Sequence, residues 1–254
     1  MAYNEKKLSS GGAGDSFIVA SKLYEREGQP KDWLHIESIN LEPMFSDMMK
    51  YLNLSLCGVK YEFQYNEDYI NKYKQGRWKQ YIPVSSGVDD WCPLKGKCEW
   101  KLENPFAITT HIQKYEENKI YDVCIQVASG MGNSRRYKFS PLALAQLLRN
   151  KGYKVALVGT MKLYEDQEDK DNFVNKLSIS ETLELISQSK TLVSSAGLLT
   201  YFAVACKVPT IYFEESPEHT KRYIHSFCQK YAYPIKFGSI QEVKKELERF
   251  GIKI

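Results

Sequence analysis

Four continuous apolar, β-branched runs, separated by helix-patterned stretches, constrain this chain more than any other feature. They are IYDVCIQVA (120–128), YKVALVGT (153–160), TLVSS (191–195) and PTIYFEE (209–215). Runs of this kind, apolar at nearly every position, mark strands buried on both faces. Between them stand PLALAQLLRNKG, with Pro141 in its first turn and Gly152 at its end, then SETLELISQSK from Ser180, then AGLLTYFAVACK. Each carries the apolar spacing and end signals of a helix laid on a sheet. A charged amphipathic helix, SIQEVKKELERFG (239–251), closes the series. Strand and helix in strict alternation predict an α/β fold with a parallel, doubly wound sheet.

The first half is less regular. GDSFIVASKLYEREG reads as a helix, DWLHIESIN as a strand, residues 43–53 as a helix and VKYEFQY as a strand. Together they suggest a second, shorter α/β unit. Residues 69–119 carry many aromatics and little periodicity, and no element is assigned there. The seam falls near 105–122, giving expected domains of 1–119 and 120–254, with helix 239–251 a candidate to pack back on the first.

Composition removes several function classes. With 43% hydrophobic and 26% charged residues over 254 positions, the chain can bury a real core. It has no apolar run of about 18 residues, as a membrane-crossing helix needs. MAYNEKK lacks the apolar region of a secretory signal. The six cysteines are scattered, with Cys124 and Cys206 inside apolar runs, as expected for reduced residues of a cytoplasmic protein. Cys92 and Cys98 stand close, but no CxxC pair or nearby histidine supports a zinc site, and no metal is expected.

A net charge of +4 is too small to imply nucleic acid by itself. Its distribution says more. Residues 69–88 carry Lys72, Lys74, Arg77 and Lys79 interleaved with Tyr69, Tyr73, Trp78 and Tyr81, and no acid. Residues 126–150 carry Arg135, Arg136, Lys138 and Arg149, again with no acid. Single-sign blocks in a nearly balanced chain point to anionic ligands at two places. The plainer alternative for the first block is a solvated face.

In doubly wound sheets, ligands bind beyond the carboxyl ends of strands, where helix N-termini present backbone N–H groups to anions. Three loops meet that description. SGMGNSRR (129–136) combines Ser129 and Gly130 with two arginines able to grip phosphate oxygens bidentately. SSAGLLT (194–200) opens a helix at Gly197 and offers the hydroxyls of Ser194, Ser195 and Thr200. SSGGAGD (9–15) sets Gly11, Gly12 and Gly14 before Asp15, which either caps a helix or faces a ligand. A dinucleotide fingerprint is not met, because Phe17 occupies the last glycine place and no strong strand precedes the loop. No Walker A sequence occurs, and the four histidines stand beside no obvious nucleophile.

Taken in order, these loops resemble those of the ADP-heptose–lipopolysaccharide heptosyltransferase family and its GT-B glycosyltransferase relatives. GAGDSFIVASKLYE matches the family's Gly-x-Gly-Asp loop running into a helix. CIQVASGMGNSRRYKFSPLALAQLL matches its strand, Gly/Ser turn and basic residues before a helix. SISETLELISQSKTLVSSAGLLTYFAVACKVPTIYF follows its later layout. Two positions depart from the family: Ser195-Ala196-Gly197 stands where it has Asp-Ser/Thr-Gly, and Thr200 where it has histidine.

The resemblance implies two Rossmann-like domains facing across a cleft, the first of them reduced, and metal-independent transfer of a sugar from a nucleotide-diphosphate sugar, without any other cofactor. Asp15 is then the base toward the acceptor hydroxyl. Ser129, Gly130, Arg135, Arg136, Lys138, Ser194, Ser195, Gly197 and Thr200 hold the donor, with Gly12 and Gly14 allowing close backbone approach. Glu165 is a candidate ribose or base contact, although a solvated acidic loop explains it more simply. The acceptor is a glycan or a base in DNA, the latter met by Lys72, Lys74 and Lys79 on phosphates and by Trp78 or Tyr81 stacking. The alternative is a non-catalytic ligand-binding protein on a degenerate glycosyltransferase scaffold.

Overall fold

The computed structural model describes residues 6–27, 32–37, 42–53, 60–63, 81–83, 119–128, 137–160, 169–214, 229–236 and 239–254. They belong to two compact units, 1–108 and 109–254.

In the first unit, β1 (Lys6–Ser10), β2 (Trp33–Glu37), β3 (Lys60–Phe63) and β4 (Tyr81–Pro83) form a sheet of order β3-β2-β1-β4. Every pairing is parallel, with Leu8 opposite both Leu34 and Pro83. A strand therefore does precede the glycine loop, contrary to the sequence expectation. KKLSS is too polar to announce itself, and pairing on both sides makes it a strand. Pro83, which cannot donate to a ladder, lies in the edge strand.

Two helices complete the described part of this unit. α1 (Ala13–Glu27) buries Phe17, Ile18, Val19, Ala20 and Leu23, and α2 (Glu42–Tyr51) buries Phe45, Met48 and Met49. Trp33 is sealed between these layers, its ring 6.2 Å from that of Phe45. Its indole N–H donates to Ser9 Oγ at 2.7 Å, so the buried donor is satisfied within the sheet.

The second unit contains β5 (Val123–Gln126), α3 (Pro141–Asn150), β6 (Val155–Val158), α4 (Ile179–Ser187), β7 (Leu192–Ser195), α5 (Leu198–Ala205), β8 (Thr210–Phe213), β9 (Ala232–Ile235) and α6 (Ile240–Arg249). Its sheet runs β6-β5-β7-β8-β9, parallel throughout. The four expected strands are present, and β5 through β8 are buried along their length. Strand β9 was not legible in AYPI, where Pro234 is tolerated because the strand is an edge.

Helix α4 begins one turn-position earlier than its sequence suggests. Ser178 rather than Ser180 caps it, because Glu181 reaches back to the Ser178 N–H at 2.8 Å and completes a capping box. Helix α6, open in the sequence to packing on the first unit, buries Val243 and Leu247 in the core of the second.

The two ends of this sheet differ in chemistry. Charges at the amino-terminal end are matched locally: Lys190 pairs with Asp122 at 2.7 Å, and Arg149 binds both Asp169 and the Val155 carbonyl. Burial opposes ionisation of Asp122, but its bonds from Lys190 and the Lys154 N–H outweigh that and hold its carboxyl below the usual range. Burial, reinforced by the Asp171 carboxylate, pushes the Tyr121 hydroxyl up to about 12. The carboxyl-terminal end instead gathers hydroxyls, an amide and helix N–H groups.

Candidate functional site

The chain leaves β5 toward β6 on one side and later returns to β7 on the other, so the sheet order reverses between β5 and β7. Such a switch point opens a crevice beyond the strand ends. The ladders show it opening. β5 stays with β6 through Gln126, and β7 stays with β8 through Ser195, but β5 and β7 pair only as far as Ile125 and Val193.

One side chain spans the parted ends. Gln126, 8% exposed, accepts the Ser195 N–H through Oε1 at 3.3 Å and donates from Nε2 to the Ala128 carbonyl at 3.0 Å. The sequence reading passed it over. Its one signal was a polar residue within an otherwise apolar strand.

Ser194, Ser195 and Thr200 stand here too, almost wholly buried. Thr200 donates its single hydroxyl hydrogen to the Ser195 carbonyl at 2.8 Å, so the 2.7 Å contact with Ser194 is a bond that Ser194 donates. The two hydroxyls thus fold the turn onto itself. Thr200→Val, nearly isosteric, should cost about 1–3 kcal/mol of stability by stranding those partners. Denaturant unfolding checks this, and unchanged stability would show that the hydroxyl is not a structural one.

Gly197 then starts α5 without any side-chain cap, whereas Ser140, Ser178 and Ser239 cap α3, α4 and α6. Its φ of 155° suits glycine, and a Cβ there would meet nothing within 4 Å. The first turn of α5 thus has no side-chain cap where β7 ends, with the positive end of the helix dipole behind it. Close by, Gly159 ends β6 where a Cβ would approach the Ala128 carbonyl to 3.2 Å. Tyr137 sets its ring 5.0 Å from Phe139 and buries its hydroxyl beside Ser195. Burial pushes that hydroxyl's pKa well up, with the Ser195 side chain opposing.

In the first unit, Asp15 lies in the opening turn of α1 and its Oδ2 accepts the Gly12 N–H at 2.9 Å. Gly11 adopts φ 128°, and a Cβ on it would fall 2.6 Å from the Asp15 carboxylate. Position 11 takes glycine because the carboxylate occupies the space a side chain would take.

Lys138 is exposed two residues before the Ser140 cap. Ser129, Gly130, Arg135, Arg136, Glu165, Lys72, Lys74, Trp78 and Lys79 lie outside the described residues, as do Cys92 and Cys98; Tyr81 is described as the first residue of β4, without its side chain. Among the described residues no three His, Cys, Asp or Glu side chains converge as metal ligands, and no helix is long and apolar enough to cross a membrane.

These features define an α/β fold with a parallel sheet whose order reverses at a switch point. Solved glycosyltransferase structures share the fold. Escherichia coli ADP-heptose lipopolysaccharide heptosyltransferase II aligns over 97% of this chain and 99% of its own, at 14% identity and TM-score 0.54. E. coli heptosyltransferase WaaC with ADP-2-deoxy-2-fluoro heptose aligns over 96% and 99%, at 11% identity and TM-score 0.55. A family 9 glycosyl transferase from Veillonella parvula aligns over 99% and 90%, at 9% identity and TM-score 0.51. No protein-family model and no curated protein sequence matches the chain.

Proposed function

We propose that this protein is a glycosyltransferase that moves a sugar from a nucleoside-diphosphate sugar to an acceptor hydroxyl. The observation that carries the reading is the uncapped N-terminus of α5 at the parted ends of β5 and β7. A diphosphate there meets backbone N–H groups and a helix dipole, with Arg135 and Arg136, which follow β5 in the sequence, supplying positive charge. Lys138 and Glu165 are further donor contacts in this reading, the latter to ribose or base. The heptosyltransferase fold supports it, and the WaaC structures hold ADP or an ADP-sugar.

In the transfer, the bond between the anomeric carbon and the diphosphate oxygen breaks while the acceptor oxygen bonds to that carbon. Asp15 takes the acceptor's proton, and the departing diphosphate keeps the electron pair and the negative charge. Helix dipole and guanidinium groups stabilise that charge as it develops, so the step needs no metal. The basic, aromatic stretch 69–88 is the acceptor-side element, for a glycan or for DNA.

The test is binding followed by turnover. A nucleoside diphosphate at 100 times its Kd should stabilise the protein by about 2.7 kcal/mol in thermal-shift measurements with ADP, GDP, CDP and UDP. Arg135→Ala and Arg136→Ala should each weaken the diphosphate that binds by about 1.5–3 kcal/mol while leaving the nucleoside nearly unaffected. Equal losses for diphosphate and nucleoside would place these arginines away from phosphate. A wild-type protein that binds no nucleoside diphosphate and consumes no nucleotide-sugar would overturn the reading.

A further inference from the structure

We infer that Gln126 is a positioning residue of the diphosphate site, a clamp that holds the turn leading into α5 against the carboxyl end of β5. The inference rests on the donor-site reading above. It starts from the place where the β5–β7 ladder ends, at Ile125 and Val193, although each strand continues pairing with its other neighbour. Beyond that point no described backbone bond ties the two strands together. Gln126 bonds across at this point with its amide.

Each half of that amide fixes one element. Oε1 holds the Ser195 N–H at 3.3 Å, immediately before the turn that delivers Gly197 and the open first turn of α5. Nε2 holds the Ala128 carbonyl at 3.0 Å, the last described residue before the loop carrying Arg135 and Arg136. The Ala128 carbonyl is also walled by Gly159, where even a Cβ would press to 3.2 Å. The end of β5 and the approach to α5 are thus joined through one buried side chain. An amide suits the task because it offers an acceptor and a donor in one plane without bringing charge beneath a diphosphate. A glutamate would keep the acceptor, lose the donor and add a repelling charge.

The experiment compares wild type, Gln126→Leu and Gln126→Glu, with far-UV circular dichroism and thermal unfolding as fold controls. Calorimetric titration is made with the nucleoside diphosphate that wild type binds most tightly among ADP, GDP, CDP and UDP, and with its nucleoside. Gln126→Leu should bind the diphosphate at least tenfold more weakly with nucleoside affinity nearly unchanged. Gln126→Glu should be weaker at pH 8 and recover part of the loss at pH 5, as protonation removes the charge and restores a donor.

If Gln126 served only to fill the core, both ligands would weaken together, or neither would change while the unfolding temperature fell; either pattern overturns the inference. A Gln126→Leu protein that fails to fold leaves the decision to Gln126→Glu, whose pH-independent binding would also overturn it. If wild type shows no diphosphate-dependent binding at all, the donor-site reading fails first, and the clamp fails with it.

Discussion

Asp15→Asn is expected to lower sugar-transfer turnover by about 10²–10⁴-fold, the usual contribution of a general base. The substitution separates chemistry from architecture. Asparagine retains a carbonyl oxygen where Asp15 Oδ2 accepts the Gly12 N–H at 2.9 Å, so the opening turn of α1 keeps its closing bond. What it lacks is the ability to take a proton from the acceptor. Donor affinity should stay unchanged, and the unfolding midpoint should move only slightly, because the loss is of charge in a partly exposed first turn. Initial rates with saturating donor, set beside a thermal melt, check both halves. If the variant keeps most of its turnover, Asp15 closes the turn and nothing more, and the base lies elsewhere.

Gly11→Ala should be nearly as damaging, and for a reason that passes through the same carboxylate. At φ 128° an alanine is strained whatever surrounds it, and its Cβ would sit 2.6 Å from the Asp15 Cγ and Oδ2. The turn must shift or the carboxylate must move, with a backbone cost of roughly 1–3 kcal/mol if it does not relax. A misplaced base is almost as useless as an absent one, since a displacement of about 1 Å can cost on the order of 10² in rate. The informative measurement is the double variant. If Gly11 acts through Asp15, Gly11→Ala in an Asp15→Asn background should lower turnover little further, whereas independent effects would multiply. Multiplying losses would mean that Gly11 supports the unit generally and does not serve Asp15.

Gly11 therefore has a geometric explanation that needs no ligand: it makes room for the carboxylate, which accepts the N–H of the next residue, Gly12. This is close to the plain reading of SSGGAGD as a capped turn, except that the aspartate works from inside the first turn and not from ahead of it. A structural bond and a catalytic role are compatible, because a carboxylate has two oxygens and a base must be held still to act.

Much of the second unit was legible from residues alone. Strands β5 to β8 are buried along their length, which forces continuous apolar runs, and its helices lie on a sheet, which forces apolar spacing. Those are local consequences of burial, so they are written locally. The SSAGLLT turn was equally visible, since a small-residue turn between a buried strand and a helix has few other uses. The direction of its hydroxyls was not. Ser194 and Thr200 offer the same atoms to a ligand or to one another, and only the folded turn shows their 2.7 Å approach.

The sequence by itself determined the class of fold, the small-residue turn between β7 and α5 and the carboxylate set among glycines. Tertiary structure alone decided that polar KKLSS is a central strand, because two parallel neighbours supply the backbone bonds its own side chains never advertise. It alone decided, too, that Gln126 bridges β5 and β7. Strand identity follows from short-range patterns of burial, whereas the parting of two strands sixty-nine residues apart depends on pairings that no local pattern encodes.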